Sequence, residues 1–313
     1  MKEIKTKASH TSISTICGWF GVTRQAYYQQ EKAKIKEELQ IEIIMHEILK
    51  IREKHPKLGT RKLLVKLQKK IMLHNIQIGR DALFDLLRTE HLLIRNRVRR
   101  VKTTNSYHRL HKYPNLIKDF TLTSPNQLYV SDITYWWIGD RFVYISLITD
   151  AYSHKIVGWG VSDSLKTVGS LEALQMALSD LVERGRETIE LLHHSDRGVQ
   201  YCDKKYVNLL QDYNIKISMT ENGDPRENAI AERVNGIIKN EYLKGIKVEK
   251  LEDAKRILSQ VIDLYNNDRP HTSISYLTPN EVHRSNLKVE RKWKNYYKKN
   301  NKFANESVNP IED

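Results

Sequence analysis

Apolar and polar positions change their period along the chain, and each change marks a region. Over roughly the first ninety residues the apolar positions recur at helical spacing. SISTICGWFGVTRQAYYQ reads as one helix, a break at Gly21, and a short second helix that Thr23 opens as N-cap. That is a helix-turn-helix pattern, with an ordinary pair of packed helices as its competitor. LGTRKLLVKLQKK, opened by Gly59-Thr60, and GRDALFDLLRTEHLL, from Gly79 to Leu93, predict a second helical pair. A one-signed stretch follows: between Arg95 and Lys112 there are seven Lys/Arg and no acid, interleaved with Thr103, Thr104, Asn105 and Tyr107. These are phosphate-contacting residue types, and a solvated linker explains the single sign of charge less well.

From Gln127 the period shortens to two. LYVSDITYWWI, RFVYISLITDAYS and HKIVGWGVSD, linked by Gly139-Asp140 and Tyr152-Ser153, predict three consecutive antiparallel strands. Helices near Leu171 to Arg184 and Lys204 to Tyr213 then alternate with strands near Ile189 to His193 and Ile215 to Met219. A long helix is expected from Pro225 to about Tyr242, another from Leu251 to about Tyr265, and a Lys-rich tail closes the chain. Three strands followed by alternating helices and strands describe an α/β fold, a mixed sheet flanked by helices.

Composition narrows the partner. The chain has 313 residues, 40% of them hydrophobic, enough for a substantial core and a length that suits two or three domains. The net charge of +14 favours a polyanion, with nucleic acid first. The longest apolar stretch, around Phe142 to Ile148, falls well short of the roughly 20 residues a membrane span needs, so no membrane partner is expected. The N-terminus lacks a signal-peptide pattern, and two cysteines, Cys17 and Cys202, suit a reducing compartment. Both point to a cytoplasmic protein.

HHSDRGVQY, His193 to Tyr201, packs chemistry-bearing residues directly after an apolar run. A nucleophilic Ser195 would want a glycine-flanked elbow, which is absent. A zinc site on His193-His194 fails because neighbouring strand residues face opposite ways and no further Cys or His pair has ligand spacing. That leaves Asp196, at the C-terminal end of a predicted strand, with Gly198 letting the chain turn beside it. Asp132 sits inside YVSDITYWW, where alternation puts it on one face with Val130, Thr134 and Trp136; an acid there costs stability unless paired, hydrogen-bonded or metal-bound. Asp150, at a strand end, is explained by turn capping.

For a third acid, Asp224, Glu227 and Glu232 compete. Asp224-Pro225-Arg226-Glu227 reads as a capping box with its side chains occupied, whereas Glu232 has no local explanation. At 100° per residue, Val234, Ile237 and Ile238 fall within about 80° of Ile230, while Asn228, Glu232, Asn235 and Lys239 cluster about 140–200° away. A solvated helix surface would look the same.

Asp132, Asp196 and Glu232, with 35 residues between the last two, resemble the acidic triad of integrase-like DDE transposases. PNQLYVSDITY, ITDAYSHKIVGW, HHSDRGVQY, ENAIAERVNGIIKNEYL, YNNDRPHTSISYLTPNE and HPKLGTRKLL extend the resemblance to the second-frame transposases of the third insertion-sequence family of bacterial mobile elements, over roughly Ser14 to Val282. It implies an RNase H-like, mixed five-stranded sheet flanked by helices, preceded by a helical helix-turn-helix DNA-binding region. The expected domains are 1–52, helix-turn-helix and connecting helix; 53–118, a second such region with its basic linker; 119–285, the catalytic core; and 286–313, a basic tail.

The resemblance further implies that Asp132, Asp196 and Glu232 bind two Mg²⁺ ions, for which Mn²⁺ can substitute, and catalyse cleavage and strand transfer. Lys239 falls where the family places a basic residue that contacts the element's end. Asn228, Arg24, Gln25, Arg97, Arg99 and Arg100 are the other DNA-contact candidates, and His194 is a candidate to support the acids. The partners implied are double-stranded DNA, both element ends and target, and further copies of the chain. In this family an upstream frame commonly supplies another helix-turn-helix and a leucine zipper; no sustained heptad repeat precedes Ile13, so an upstream-frame partner or fusion is expected. A structure-selective nuclease of the same fold and a non-cutting DNA-binding regulator are the rival readings.

Overall fold

The computed structural model describes residues 11–94, 109–118, 120–183, 190–221 and 227–285. The chain divides into two compact units, at residue 94.

In the first unit, α1 (Ile13–Trp19) is capped by Ser12, whose hydroxyl accepts from the Thr15 amide at 3.1 Å. Gly21 takes a φ of +65° at the break, a conformation that side chains with a Cβ resist. Thr23 then opens α2 (Arg24–Lys54), its hydroxyl accepting from Ala26 N at 3.1 Å. The cap stands where the sequence put it, but the helix it opens is 31 residues long, not short, because no Gly or Pro interrupts the chain before Pro56. Its C-terminal third packs Ile44 and Ile48 against Leu63 and Leu67 of α3 (Thr60–Leu73) and Leu83 and Leu87 of α4 (Arg80–Thr89), all buried. The basic run, with Arg97, Arg99 and Arg100, lies outside the described residues.

The second unit is built on a sheet of β1 (Leu128–Ile138), β2 (Arg141–Asp150), β3 (Ile156–Ser162), β4 (Leu192–Ser195) and β5 (Lys216–Met219). The strand order is β3-β2-β1-β4-β5; β1, β2 and β3 pair antiparallel, and β4 and β5 run parallel to β1. This is the RNase H-like arrangement. Alternation divides the sheet between two cores. Trp136, Ile138, Val143, Ile145 and Leu147 face α8 (Ala229–Ile237) and α9 (Leu251–Asn267). Tyr129 and Ile148 face α5 (Val168–Glu183) and α7 (Lys204–Asp212), the latter following the short α6 (Val199–Cys202). The β3–α5 contact depends on two glycines: a Cβ on Gly158 would lie 2.0 Å from the Ala173 carbonyl oxygen, and one on Gly160 would lie 2.1 Å from that of Gly169.

Side chains close the sheet at its margins. On β3, Asn266 accepts from Ile156 N at 3.0 Å and donates to Ile156 O at 2.9 Å, pairing as a neighbouring strand would. On β5, Met219 N donates to Pro114 O at 3.2 Å, and Leu116 N donates to the Ser218 hydroxyl at 2.9 Å. Arg269 is fully buried and donates through Nε and Nη2 to both oxygens of Glu241, each at 2.9 Å. That fork ties the segment before α10 (Pro279–Arg284) to a π-helical turn, Ile238–Leu243, which continues directly from α8. No helix among the described residues is long and apolar enough to cross a membrane.

The helix expected from Pro225 to Tyr242 is therefore two pieces, and it starts later, at Ala229 with Asn228 as N-cap. Asp224, Pro225 and Arg226 lie outside the described residues. Glu227 precedes the helix and so is not its N3 residue; its carboxylate accepts from Glu221 N at 2.7 Å instead. The strand expected from Ile189 begins only at Leu192.

Candidate active site

The three acids come from three elements. β1 carries Asp132 one residue past its last pairing with β4, which ends at Ser131↔Ser195, so the two strands part where the acids stand. β4 ends at Ser195, and Asp196 follows as the chain turns; the Gly198 amide donates to Asp196 Oδ1 at 3.0 Å. An added Cβ at Gly198 would come within 2.9 Å of that same oxygen. Glu232 lies in the first turn of α8, exposed.

The polar face of α8 and the turn after it packs against β1 rather than facing solvent alone. Asn228 Nδ2 donates to Ser131 O at 2.9 Å, and Asn235 Nδ2 donates to Asp132 Oδ2 at 2.9 Å. Lys239 sets its ammonium 3.2 Å from the Tyr135 ring centroid, and partial burial lowers its pKa. Asn228, expected as a DNA contact, is buried with its amide engaged inside the protein. Asn235 and Tyr135 were not singled out from the sequence, although the helical face that holds Asn235 was drawn correctly.

The electrostatics of Asp132 follow from this convergence. Its carboxyl is pushed up to about 7 by burial first and by the Asp196 charge second; hydrogen bonds from Asn235 and the Ile133 amide pull it down, and Glu232 adds an upward push. A carboxyl raised by burial and by neighbouring carboxylate charge stands in a site short of positive charge. Carboxylate oxygens are the hard donors that Mg²⁺ prefers, so the donor set fits the ion. Among the described residues no three His, Cys, Asp or Glu side chains already stand close enough to hold a metal.

The histidines beside Asp196 are both structural in geometry. His193, fully buried, pairs Nε2 with the Ser131 hydroxyl at 2.7 Å and the Tyr206 hydroxyl at 2.9 Å, joining β4 to β1 and α7. His194 pairs Nδ1 with the Ser218 hydroxyl at 2.8 Å, across the β4–β5 register. Burial drives His193 down to about 3 and His194 to about 4, so both stay neutral near pH 7. Asp150 also has a structural place: Oδ1 accepts from Ser153 N at 2.7 Å and Oγ at 2.6 Å, and Oδ2 accepts from Asn126 N at 2.7 Å. Arg24 and Gln25 stand exposed in the first turn of α2, with the Arg24 guanidinium 5.7 Å from the Tyr28 ring.

Comparisons with known proteins bear on this site. Residues 123–225 and 213–279 match two family descriptions, both "Integrase core domain". The insertion element IS600 31 kDa protein of Shigella sonnei is 32% identical over 272 residues, covering 84% of this chain and 96% of that protein. The transposase for insertion sequence element IS629, also from Shigella sonnei, is 29% identical over 74% of this chain and 76% of its own length. Transposase InsF for IS3A of Escherichia coli K12 is 30% identical over 58% of this chain and 63% of its own. Among solved structures, the HTLV-2 integrase catalytic core domain in complex with magnesium matches 52% of this chain and 98% of that one, at 18% identity and a TM-score of 0.39.

Proposed function

The chain belongs to the integrase-core transposases of the third insertion-sequence family, and from that premise we propose that Asp132, Asp196 and Glu232 hold Mg²⁺ and carry cleavage and strand transfer at the ends of a bacterial insertion element. The observation that supports this assignment most directly is the Asp132 carboxyl, pushed up to about 7 beside two further acids where β1 and β4 part. When bound, the ions supply positive charge that activates an attacking oxygen and stabilises a leaving one. The chain's own residues orient the site. Asn235 and the Ile133 amide fix the Asp132 carboxylate, the Gly198 amide fixes Asp196, and α8 delivers Glu232.

Two successive in-line displacements are expected. In the first, water attacks the phosphodiester at the element's end and releases a 3′-hydroxyl. In the second, that hydroxyl attacks a target phosphodiester, displacing the target strand's own 3′-oxygen, which leaves as a hydroxyl, and joins the strands. Lys239, on the helix face that also carries Glu232, is suited to hold a nearby phosphate. Arg24 and Gln25, at the start of α2, are suited to read bases in the major groove. Several copies of the chain acting together on DNA in the bacterial cytoplasm complete the reading.

The test is Asp132→Asn, Asp196→Asn and Glu232→Gln on the element's own ends. Each is expected to abolish Mg²⁺-dependent cleavage with DNA affinity largely kept, because each keeps shape and removes a hard anionic ligand. Parent-like cleavage by Glu232→Gln would move the third ligand elsewhere on the chain. Cleavage without joining by the parent would favour the nuclease reading.

A further inference from the structure

Among the described residues, the β1–β2 hairpin carries aromatic rings that stay exposed. Strand alternation puts Tyr135 and Trp137 on the face opposite Asp132, and cross-strand pairing sets Tyr135 against Tyr144 and Trp137 against Phe142. Helix α5 reaches this face at Ser146, whose hydroxyl lies 3.1 Å from that of Ser170. Beyond it, Trp137 remains 53% exposed and Phe142 44%. Their rings meet edge to face at 4.6 Å, and Phe142 meets Tyr135 the same way at 5.2 Å, so the rings form one continuous surface.

This surface adjoins the acidic site. Among the described residues, no strand pairs with the β4 side of β1 from Asp132 onward, because the β1–β4 pairing stops at Ser131. Lys239, from the helix face that carries Glu232, lays its ammonium over the Tyr135 ring. A cation thus stands between the acids and the rings. Tyr135 and Trp137 lie three and five residues beyond Asp132, about 10 and 17 Å along the strand. At 3.4 Å per base step, that is about three to five nucleotides from the reacting phosphodiester.

We propose that the Trp137–Phe142 surface is a stacking platform for an unpaired nucleobase of the DNA strand being processed, with Lys239 on an adjoining phosphate. The proposal rests on the reading of the acidic site given above. Exposed rings joined to a cation are the combination that binds single strands without reading sequence. Breaking one strand of a duplex end frees its last pairs to open, and a ring surface offsets the stacking they lose.

The probe is 2-aminopurine, placed at each of the five nucleotides nearest the scissile position in an element end left unpaired over those five positions, and bound by the full chain. Fluorescence should be quenched at one of positions three to five, and Trp137→Ala and Phe142→Ala should relieve that quench. Both should also bind an end with an unpaired overhang about 5- to 150-fold more weakly, with fully paired DNA bound as before. Trp137→Phe, which keeps a ring, should retain most of the quench, and matched melting curves exclude misfolding. A quench that survives in both alanine variants overturns the proposal. So does a change in the protein's solution mass with the quench intact, which would make the patch an interface between copies. Strand joining by Asp132→Asn would instead overturn the reading of the acidic site. Joining by the parent alone, with a quench indifferent to Trp137, would remove only the platform.

Discussion

Asp132→Asn should stabilise the metal-free protein while destroying its activity. The folded chain raises this carboxyl from the ordinary 3.8 to about 7. Between those values the folded state keeps a proton that the unfolded chain gives up, so stability falls as pH rises from about 4 to 7. Above that window the ionised carboxylate costs the fold up to about 4 kcal/mol. The asparagine removes the charge but turns one acceptor oxygen into a donor facing Asn235, a loss of about 1–2 kcal/mol. The net gain at pH 8 is about 2–3 kcal/mol, which for a unit of this size raises Tm by about 4–12 °C. Thermal unfolding in EDTA at pH 5 and pH 8 measures it, with the advantage of the variant shrinking at pH 5. Mg²⁺ should then close the gap at pH 8 by stabilising the parent alone, since a ligand that binds only the folded state stabilises it by RT ln(1 + L/Kd), where L is the free ligand concentration. If the variant melts below the parent at pH 8 without metal, or if Mg²⁺ raises both alike, the acids do not form a site short of positive charge.

Gly158→Ala forces a Cβ against the Ala173 carbonyl 2.0 Å away, so α5 must shift; we expect a loss of about 1–3 kcal/mol in urea unfolding, and an unchanged midpoint would mean the helix has slack. Arg269→Ala leaves Glu241 without its buried fork and should cost about 3–5 kcal/mol by the same measurement, whereas a loss below 1 kcal/mol would show that the pair contributes little. Lys239→Ala should melt like the parent yet join strands on the order of a hundredfold more slowly, while Lys244→Ala, exposed just past the π-helical turn, should be nearly silent. Equal joining by both lysine variants at matched salt would return Lys239 to an ordinary surface role.

The sheet was legible because its strands alternate cleanly and are separated by turn residues; the β1 and β2 segments read from the sequence include the observed strands in full. Asp132 and Asp196 stood out because an acid inside a strand, or at the end of one before a glycine, has no local partner in the sequence. Glu232 was reached by setting Asp224 and Glu227 aside as a capping box, a ground the structure removes for Glu227, which accepts from Glu221 N instead; the helix period showed only a shared polar face. That period marks which residues share a face but not what the face meets, so Asn228 read as a DNA contact although it donates to Ser131 O across 97 positions of sequence. The same limit hid the link from Asn235 to Asp132. The late start of α8 was also illegible, since a capping pattern at Asp224 to Glu227 is locally valid and only the tertiary contact from Glu221 N claims the glutamate. The length of α2 was legible in principle, because an uninterrupted run without Gly or Pro precedes Pro56.

Asn266 on one outer strand and the Pro114–Leu116 backbone on the other take up hydrogen-bonding groups that would otherwise face outward. A strand from a neighbouring molecule cannot zip onto Ile156 or Met219 without first displacing a partner already there. Sheet extension, the hazard of any bare β margin, is thereby opposed at one residue on each flank. Contacts between copies made through helices, loops or sheet faces can be released without leaving a fibril behind, whereas strand-to-strand addition cannot.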